Sequence, residues 1–376
     1  MKIAINTRLL IKGKLEGIGW FTFENLKRIT ISHPEHQFYF FFDRPYNKDF
    51  IFAENIIPVV LHPQARHPFL YYIWFQYSLK NALKKINPDV FISTDGYLPL
   101  NTSFKTLNVF HDLNFEHYPS DLPILERWYY RHFFPKFAHE ATRIATVSEY
   151  SKKDIAQLYE IDTNNIDVVY NGANEIYAPV SEEIKTKTLQ KLTGGLPYFF
   201  FIGSLHPRKN LVNLFKAYDL FRKTDKNNVK LVITGARKWW TKDIELVFNG
   251  MSFKNDVIFT GRLDIEEIKK ILGSAEALTY VSYFEGFGIP IVEAFRCGTP
   301  VITSNRTSMP EVAGNAAIIV DPFNSNEIAD AMHLIMEDKT LRDNLITKGY
   351  ERAQEFTWDK AAKRLWQSIE KTININ

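Results

Sequence analysis

The chain is 376 residues long, beyond the size at which a single hydrophobic core usually keeps growing, so two domains are expected. With 45% hydrophobic and 24% charged residues it is not a disordered chain, and a net charge of +3, from 46 basic and 43 acidic side chains, is too small to argue for a nucleic-acid partner. Cys297 is the single cysteine, which excludes an internal disulfide; no run approaches the ~18 apolar residues of a membrane span, and Met1-Lys-Ile-Ala-Ile-Asn6 enters a strand pattern with no signal peptide, so a cytoplasmic protein is expected.

Lys2–Asn6 reads as a buried strand, Gly17-Ile-Gly19 as a glycine turn and Trp20–Ile29 as the helix after it. Phe38–Phe42 and Val59–Leu61 read as the next two strands. The stretch Phe69–Lys85 reads as a helix with an aromatic face and Lys80, Lys84 and Lys85 towards its end. Such a helix suits a core position with a solvated basic end, the favoured reading, or an anionic bilayer surface. Asp89–Ile92, Thr106–Phe110 and Arg143–Ser148 continue the sheet and end in the polar loops at Ser93–Gly96, His111-Asp112 and Ser148-Glu149. Open parallel sheets bind ligands at the carboxyl ends of their strands, so these loops are expected to line one crevice. His111, at a strand terminus, is a functional candidate, and Asp112 is either a helix cap or a group orienting His111. Ile166–Tyr170 is the last strand of this half.

The polar, lysine-rich segment Pro179–Gly195 reads as the boundary, after which Tyr198–Ile202 restarts the strand count. Gly203-Ser-Leu-His-Pro-Arg208-Lys209-Asn210 then precedes a helix beginning near Leu211. Arg208 as a planar fork and Lys209 as a mobile charge, beside a helix N-terminus, make an anion site suited to a diphosphate. Lys230–Gly235 and Val257–Leu263 are strands with glycine ends, and Ala277–Ser282 is another. Next comes Glu285-Gly-Phe-Gly-Ile-Pro-Ile-Val-Glu293, in which Gly286 and Gly288 let the backbone turn and Pro290 suits the first helical position. Cys297-Gly298-Thr299-Pro300 stops that helix, and Val301–Thr303 is the strand beyond. The helix N-terminus favours an anion, and Glu285 and Glu293 on either side of it are suited to hydroxyl groups. Polyol, diphosphate and polyol in that order describe a nucleotide sugar; on these residues alone, two acids complementing a helix N-terminus stays open. Ser304–Gly314 and Ala317–Pro322 read as turns, and Phe356-Thr-Trp358 opens a final helix.

The run EGFGIPIVEAFRCGTPVI resembles the E-x7-E segment of the retaining glycosyltransferase family usually numbered four. The resemblance implies an α/β, GT-B fold: two Rossmann-like doubly wound parallel-sheet domains facing a cleft, with a C-terminal helix crossing back to the first domain. It places Glu285 on the donor sugar, Glu293 on the nucleotide ribose, and the amides of Phe287 and Gly288 on the diphosphate. Gly17 and Gly19 resemble the family's first loop, near the donor phosphates and the acceptor, with Trp20 where a basic residue is common. His111-Asp112 resembles the family's HD pair, whose histidine sits beside the transferred sugar, and Asn171-Gly172 its NG turn. In GSLHPRKN the resemblance assigns Gly203, Ser204, Arg208 and Lys209 to the diphosphate, Ser204 standing where many members have arginine. Gly261, Arg262 and Leu263 correspond to the loop against the base. On this footing residues 1–178 and 358–376 form the acceptor domain and residues 179–357 the nucleotide-sugar domain.

The catalytic set is then His111, Glu285, Arg208 and Lys209, stabilising the leaving diphosphate by preorganised electrostatics. No D-x-D occurs, so a metal-independent transfer without cofactor is expected, with no residue placed as a covalent nucleophile. The EGIG start, GSLHPRKN and SMPEVAGNAA look most like the bacterial mannosyltransferase-like branch that builds cell-surface polysaccharides such as lipopolysaccharide O-antigen. That likeness implies GDP-mannose as donor and a glycan or lipid-linked glycan as acceptor, with peripheral contact at the inner membrane face and no stated oligomeric state. The competing readings are a UDP-sugar-dependent enzyme, glucosyl or N-acetylhexosaminyl, and a non-catalytic nucleotide-sugar-binding module. A nicotinamide oxidoreductase is disfavoured because Gly17-Ile-Gly19-Trp-Phe-Thr22 lacks the third glycine. A phosphorylase is disfavoured for want of a recognisable pyridoxal lysine context.

Overall fold

Short runs of aromatic and β-branched residues that are apolar at every position, alternating with amphipathic helices, pack as parallel sheets covered on both faces. The computed structural model describes residues 1–375, apart from the side chain of Lys238, and divides them into two compact units, Met1–Gly172 with Trp358–Asn376, and Ala173–Thr357. Residues 173–178 thus go with the second unit, where Arg296 Nε donates to the carbonyl of Tyr177 at 3.3 Å.

In the first unit, strands β1 (Lys2–Asn6), β2 (Gln37–Phe42), β3 (Ile56–Val60), β4 (Val90–Ser93), β5 (Lys105–Phe110), β6 (Arg143–Thr146) and β7 (Ile166–Val168) form one parallel sheet in the order β3-β2-β1-β4-β5-β6-β7. In the second, β8 (Tyr198–Ile202), β9 (Lys230–Thr234), β10 (Val257–Gly261), β11 (Ala277–Tyr280), β12 (Val301–Ser304) and β13 (Ile318–Val320) form the order β10-β9-β8-β11-β12-β13. Both orders reverse direction beside the first strand, at β1/β4 and at β8/β11, which is where doubly wound sheets open a crevice at their carboxyl edge. The central strands are buried on both faces: Ile3, Ala4, Ile5, Phe199, Phe200 and Phe201 are all sealed from solvent. The last helix, Trp358–Ile373, packs on the helix Gly17–Ser32 and on β5, burying Trp358, Leu365 and Ile369. Arg28 Nε donates to Asp359 at 2.5 Å and Lys371 Nζ to Asp167 at 2.8 Å along its edges.

Several elements differ from the sequence reading. The Gly17-Ile-Gly19 run is no turn: the helix begins at Gly17, with Glu16 as its cap. Gly19 is closely packed there: a Cβ would lie 3.1 Å from the Leu15 side chain and 3.4 Å from the Leu9 carbonyl oxygen. The boundary segment contains the helix Glu182–Thr193, capped by the Ser181 hydroxyl and ended by left-handed Gly194. The supposed late turns hold the helix Met309–Ala313 and strand β13, whose pairing with β12 its three apolar residues were too few to announce. The stretch Pro68–Ile86 is helical throughout but passes from α (Pro68–Ile73) through a π segment (Trp74–Leu79) back to α (Lys80–Ile86). Trp74, Phe75, Leu79 and Leu83 enter the core, so its inner face is the core helix expected, while Phe69, Tyr72 and Tyr77 remain exposed. Among the described residues no helix is long and apolar enough to cross a membrane.

Candidate active site

The two loops at the β8/β11 reversal carry a buried cluster of charged side chains. After β8 the chain passes Gly203, whose φ of +151° is open only to glycine, and makes one 3-10 turn, Pro207–Lys209. Asn210, left-handed at φ +61°, then starts the helix Leu211–Arg222, and its amide donates to the carbonyls of Val281 at 3.0 Å and Pro322 at 2.6 Å, tying this loop to the one after β11. After β11 the chain runs to Gly288, which caps the helix Ile289–Cys297 at φ +97°. Ser308 Oγ holds this turn by donating to the carbonyls of Glu285 at 2.8 Å and Phe287 at 3.2 Å, and the Glu285 amide donates to Thr307 Oγ1 at 3.2 Å.

Between the loops, Glu285 is buried and accepts from two cations: Arg208 Nη1 at 2.5 Å on one oxygen and Lys209 Nζ at 2.5 Å on the other. Arg208 also donates to the Phe284 carbonyl at 3.0 Å, and Lys209 to the Tyr280 hydroxyl at 2.5 Å. Burial by itself would raise the Glu285 carboxyl, but the Arg208 and Lys209 charges outweigh it and hold the group down at about 2. Arg208, Lys209 and Glu285 therefore form one charged cluster, with the acid taking the cations that sequence reasoning had reserved for phosphate. His206, stacked edge-on against Trp239, accepts from the Arg208 amide at 3.3 Å and is pushed down to about 4 by burial and the two cations, so it stays neutral.

Glu293 lies on the helix Ile289–Cys297, one turn before Cys297, with the Tyr177 hydroxyl as hydrogen-bond partner. Burial raises its carboxyl to about 7, against a lowering by Tyr177. Phe287 is buried, its ring edge-on to Phe356 at 5.3 Å. Gly203 and Ser204 lie in the loop after β8; Gly261 ends β10 with φ +73°, and it and Arg262 are exposed while Leu263 is half-buried. All of these lie at the carboxyl edge of the second sheet. Sequence reasoning missed Tyr280, Tyr177, Thr307 and Ser308, which carry no local signal because they meet the site only once the strands are ordered.

In the first unit, His111 follows β5; its Nε2 donates to the Thr94 carbonyl at 2.9 Å and its ring sits edge-on to Phe21 at 5.0 Å. Burial lowers its pKa, so the imidazole is neutral near pH 7, with Nδ1 as the lone-pair nitrogen. Asp112 Oδ1 accepts from the Asn114 amide at 3.0 Å, a turn contact two residues along; the short helix Asn114–His117 has Leu113 at its cap position, not Asp112. At the β1/β4 reversal Arg8 Nε meets Asp95 at 2.7 Å, both buried, under an aromatic cover of Tyr71, Phe75 and Tyr97. That ion pair was also not foreseen. Gly17 and Gly19 start the helix beside this loop.

Two family models match the chain in succession, the one described as Glycosyltransferase Family 4 over residues 33–175 and the one described as Glycosyl transferases group 1 over residues 183–352. The chain is 27% identical over 378 residues to O-antigen chain mannosyltransferase B of Escherichia coli, covering 96% of this chain and 97% of that relative. It is 28% identical to O-antigen chain mannosyltransferase RfbU of Salmonella typhimurium over 71% of each chain. In fold it matches HepE from Anabaena, solved in complex with UDP and glucose, with a TM-score of 0.76 over 98% of this chain and 99% of the other, at 16% identity. The paired matches fall on the two parallel-sheet units in turn, and the chain belongs to the family-4-like glycosyltransferases of GT-B fold.

Proposed function

We propose that the protein transfers a hexose, mannose from GDP-mannose, to a glycan or lipid-linked glycan in cell-surface polysaccharide synthesis, with retained anomeric configuration and without metal. The observation that carries this reading is the convergence of Arg208, Lys209 and Glu285 in front of a glycine-capped helix N-terminus. When a donor binds, its diphosphate competes for the two cations, and Glu285 exchanges them for hydroxyl groups of the sugar. Glu293 accepts from the ribose. The bond from the anomeric carbon to phosphate oxygen then breaks with its electron pair leaving on the diphosphate, where Arg208, Lys209 and the loop amides stabilise it. The acceptor hydroxyl forms the new bond on the vacated face and passes its proton to the departing phosphate oxygen. Mannose is favoured by the names of the two relatives; a UDP-sugar is the second choice, suggested by the UDP and glucose held by the structural neighbour. A thermal-shift panel of GDP- and UDP-sugars separates these donors, GDP-mannose giving the largest rise. Glu285→Ala is expected to cut turnover roughly 100-fold or more with the circular dichroism unchanged; near-normal turnover would remove Glu285 from the mechanism.

The acceptor side includes a surface suited to an anionic bilayer. Phe69, Tyr72 and Tyr77 on the Pro68–Ile86 stretch and Ile124, Leu125 and Trp128 on the helix Ile124–Glu140 are all exposed. Tyr72 touches Phe133 at 5.7 Å, joining the two sets, and a groove of about 770 Å³ beside Trp128 is lined by Arg127, Arg131 and His132. Aromatic rings at headgroup depth with guanidinium groups on phosphates are the arrangement that holds a protein on such a surface. Co-sedimentation with phosphatidylglycerol vesicles, weak with phosphatidylcholine and reduced by the double change Phe69→Ser and Trp128→Ser, is the expected result. Equal binding by the double variant would discard the surface.

A further inference from the structure

At the amino edge of the first sheet, opposite the loops that hold Asp95 and His111, the helix Gly17–Ser32 ends in His33-Pro34-Glu35-His36 and β2 begins at Gln37. His33 Nδ1 lies 3.5 Å and His36 Nε2 3.2 Å from the same Glu35 oxygen, Oε1. The three donor atoms all fall within 4.8 Å of one another. Around a four-coordinate Zn²⁺ with ligands at about 2.0–2.1 Å, neighbouring ligand atoms are roughly 3.3–3.4 Å apart. Two of the three edges of this triangle are therefore already near the length a tetrahedral ion requires, and the third is no longer than 4.8 Å.

The rings are also held for the purpose. His33 stacks on the indole of Trp366, in the helix Trp358–Ile373, at 3.6 Å and 16°, and His36 lies parallel to the same indole at 5.5 Å and 19°. The two imidazole planes are within 3° of parallel, with ring centroids 6.0 Å apart. Ligands fixed in this way lose little freedom on metal binding, which is the usual contribution of groups behind a metal's own ligands. His36 Nδ1, on the far side of the ring, faces the Met1 amine at 3.4 Å, leaving Nε2 for the triangle. The side chains of His33 and His36 are 25% and 14% exposed and that of Glu35 58%, so an ion can enter from solvent.

We propose that His33, Glu35 and His36 form a three-ligand site for a divalent transition metal, Zn²⁺ by the chemistry of its donors, with an open position for water. Bound there, the ion fastens the end of the helix Gly17–Ser32 under Trp366 of the last helix, apart from the sugar-transfer residues. Two imidazole nitrogens and one carboxylate oxygen suit Zn²⁺, Co²⁺, Ni²⁺ and Cu²⁺ and not Mg²⁺ or Ca²⁺, which prefer all-oxygen shells.

The test uses the full chain, freed of any affinity tag and stripped with chelator, titrated with Co²⁺ and then with Zn²⁺. The expected result is one equivalent bound, with visible Co²⁺ bands bleached by Zn²⁺, quenching of indole fluorescence by Co²⁺ that Trp366→Phe removes, and a higher Tm with Zn²⁺ but not Mg²⁺. His36→Gln is expected to weaken binding by roughly tenfold or more, and so is Glu35→Gln, whose solvent-facing side chain makes misfolding no confounder. Absence of saturable binding, or binding unchanged in Glu35→Gln, would overturn the proposal.

Discussion

Glu285 and Glu293 sit near either end of one loop-helix start, yet their surroundings push them in opposite directions. Glu285 has two cations within 2.5 Å and is held at about 2, whereas Glu293 has a neutral phenol and rises to about 7. A carboxyl raised above its ordinary 4.5 keeps in the fold a proton that the unfolded chain gives up, so its contribution to stability is fully present below about 4.5 and is lost as pH rises through about 7. Glutamine mimics the protonated form at every pH. Glu293→Gln should therefore match the wild type in unfolding free energy from urea titration near pH 4.5 and exceed it near pH 8, by ~1–3 kcal/mol. Equal free energies at both pH values would mean that Glu293 is already ionised in the fold. The acids and cations themselves were legible in the sequence, since glycine, charge and helix start lie within a few residues of each other. Tyr280, which shares Lys209 with Glu285 from 71 residues away, was not, because only the placing of β11 beside β8 brings it there.

At the scale of an element, the proposed donor site rests on how the helix Ile289–Cys297 is started. Gly288 stands at φ +97°, where an L side chain is strained, and an added Cβ would lie 3.2 Å from Ile291 Cδ1. Gly288→Ala should cost roughly 1–2 kcal/mol in denaturant unfolding and weaken nucleotide-sugar binding, because the first-turn amides shift. Unaltered affinity by calorimetry would show that those amides do not carry the diphosphate. This helix was readable because Pro290 and Cys297-Gly298 mark both its ends. The helix Glu182–Thr193 was hidden by its polarity, its two buried positions being threonines, Thr188 and Thr193. The Gly17-Ile-Gly19 run misled for the converse reason: glycine usually breaks a helix, but close packing against Leu9 and Leu15 can favour it inside one.

At the scale of the molecule, the chain's last helix belongs to its first sheet. Trp358–Ile373 buries Trp358, Ala361, Ala362, Leu365 and Ile369 while Lys105 Nζ donates to the carbonyl of Ile373 at 2.6 Å, so the first unit's core is completed by residues that come after the whole second unit in sequence. Leu365 is wholly buried in that face. Truncating a sealed leucine removes its transfer free energy and leaves a cavity, together ~2–5 kcal/mol, which is a large share of a typical domain's 5–15 kcal/mol. Leu365→Ala is therefore expected to raise amide exchange in the helix Gly17–Ser32 and in β5, the elements this helix covers, while β8 to β13 keep their protection. Exchange rising equally in both sheets would show that the last helix supports the whole chain rather than the first unit, and exchange rising in neither would show that its packing is dispensable.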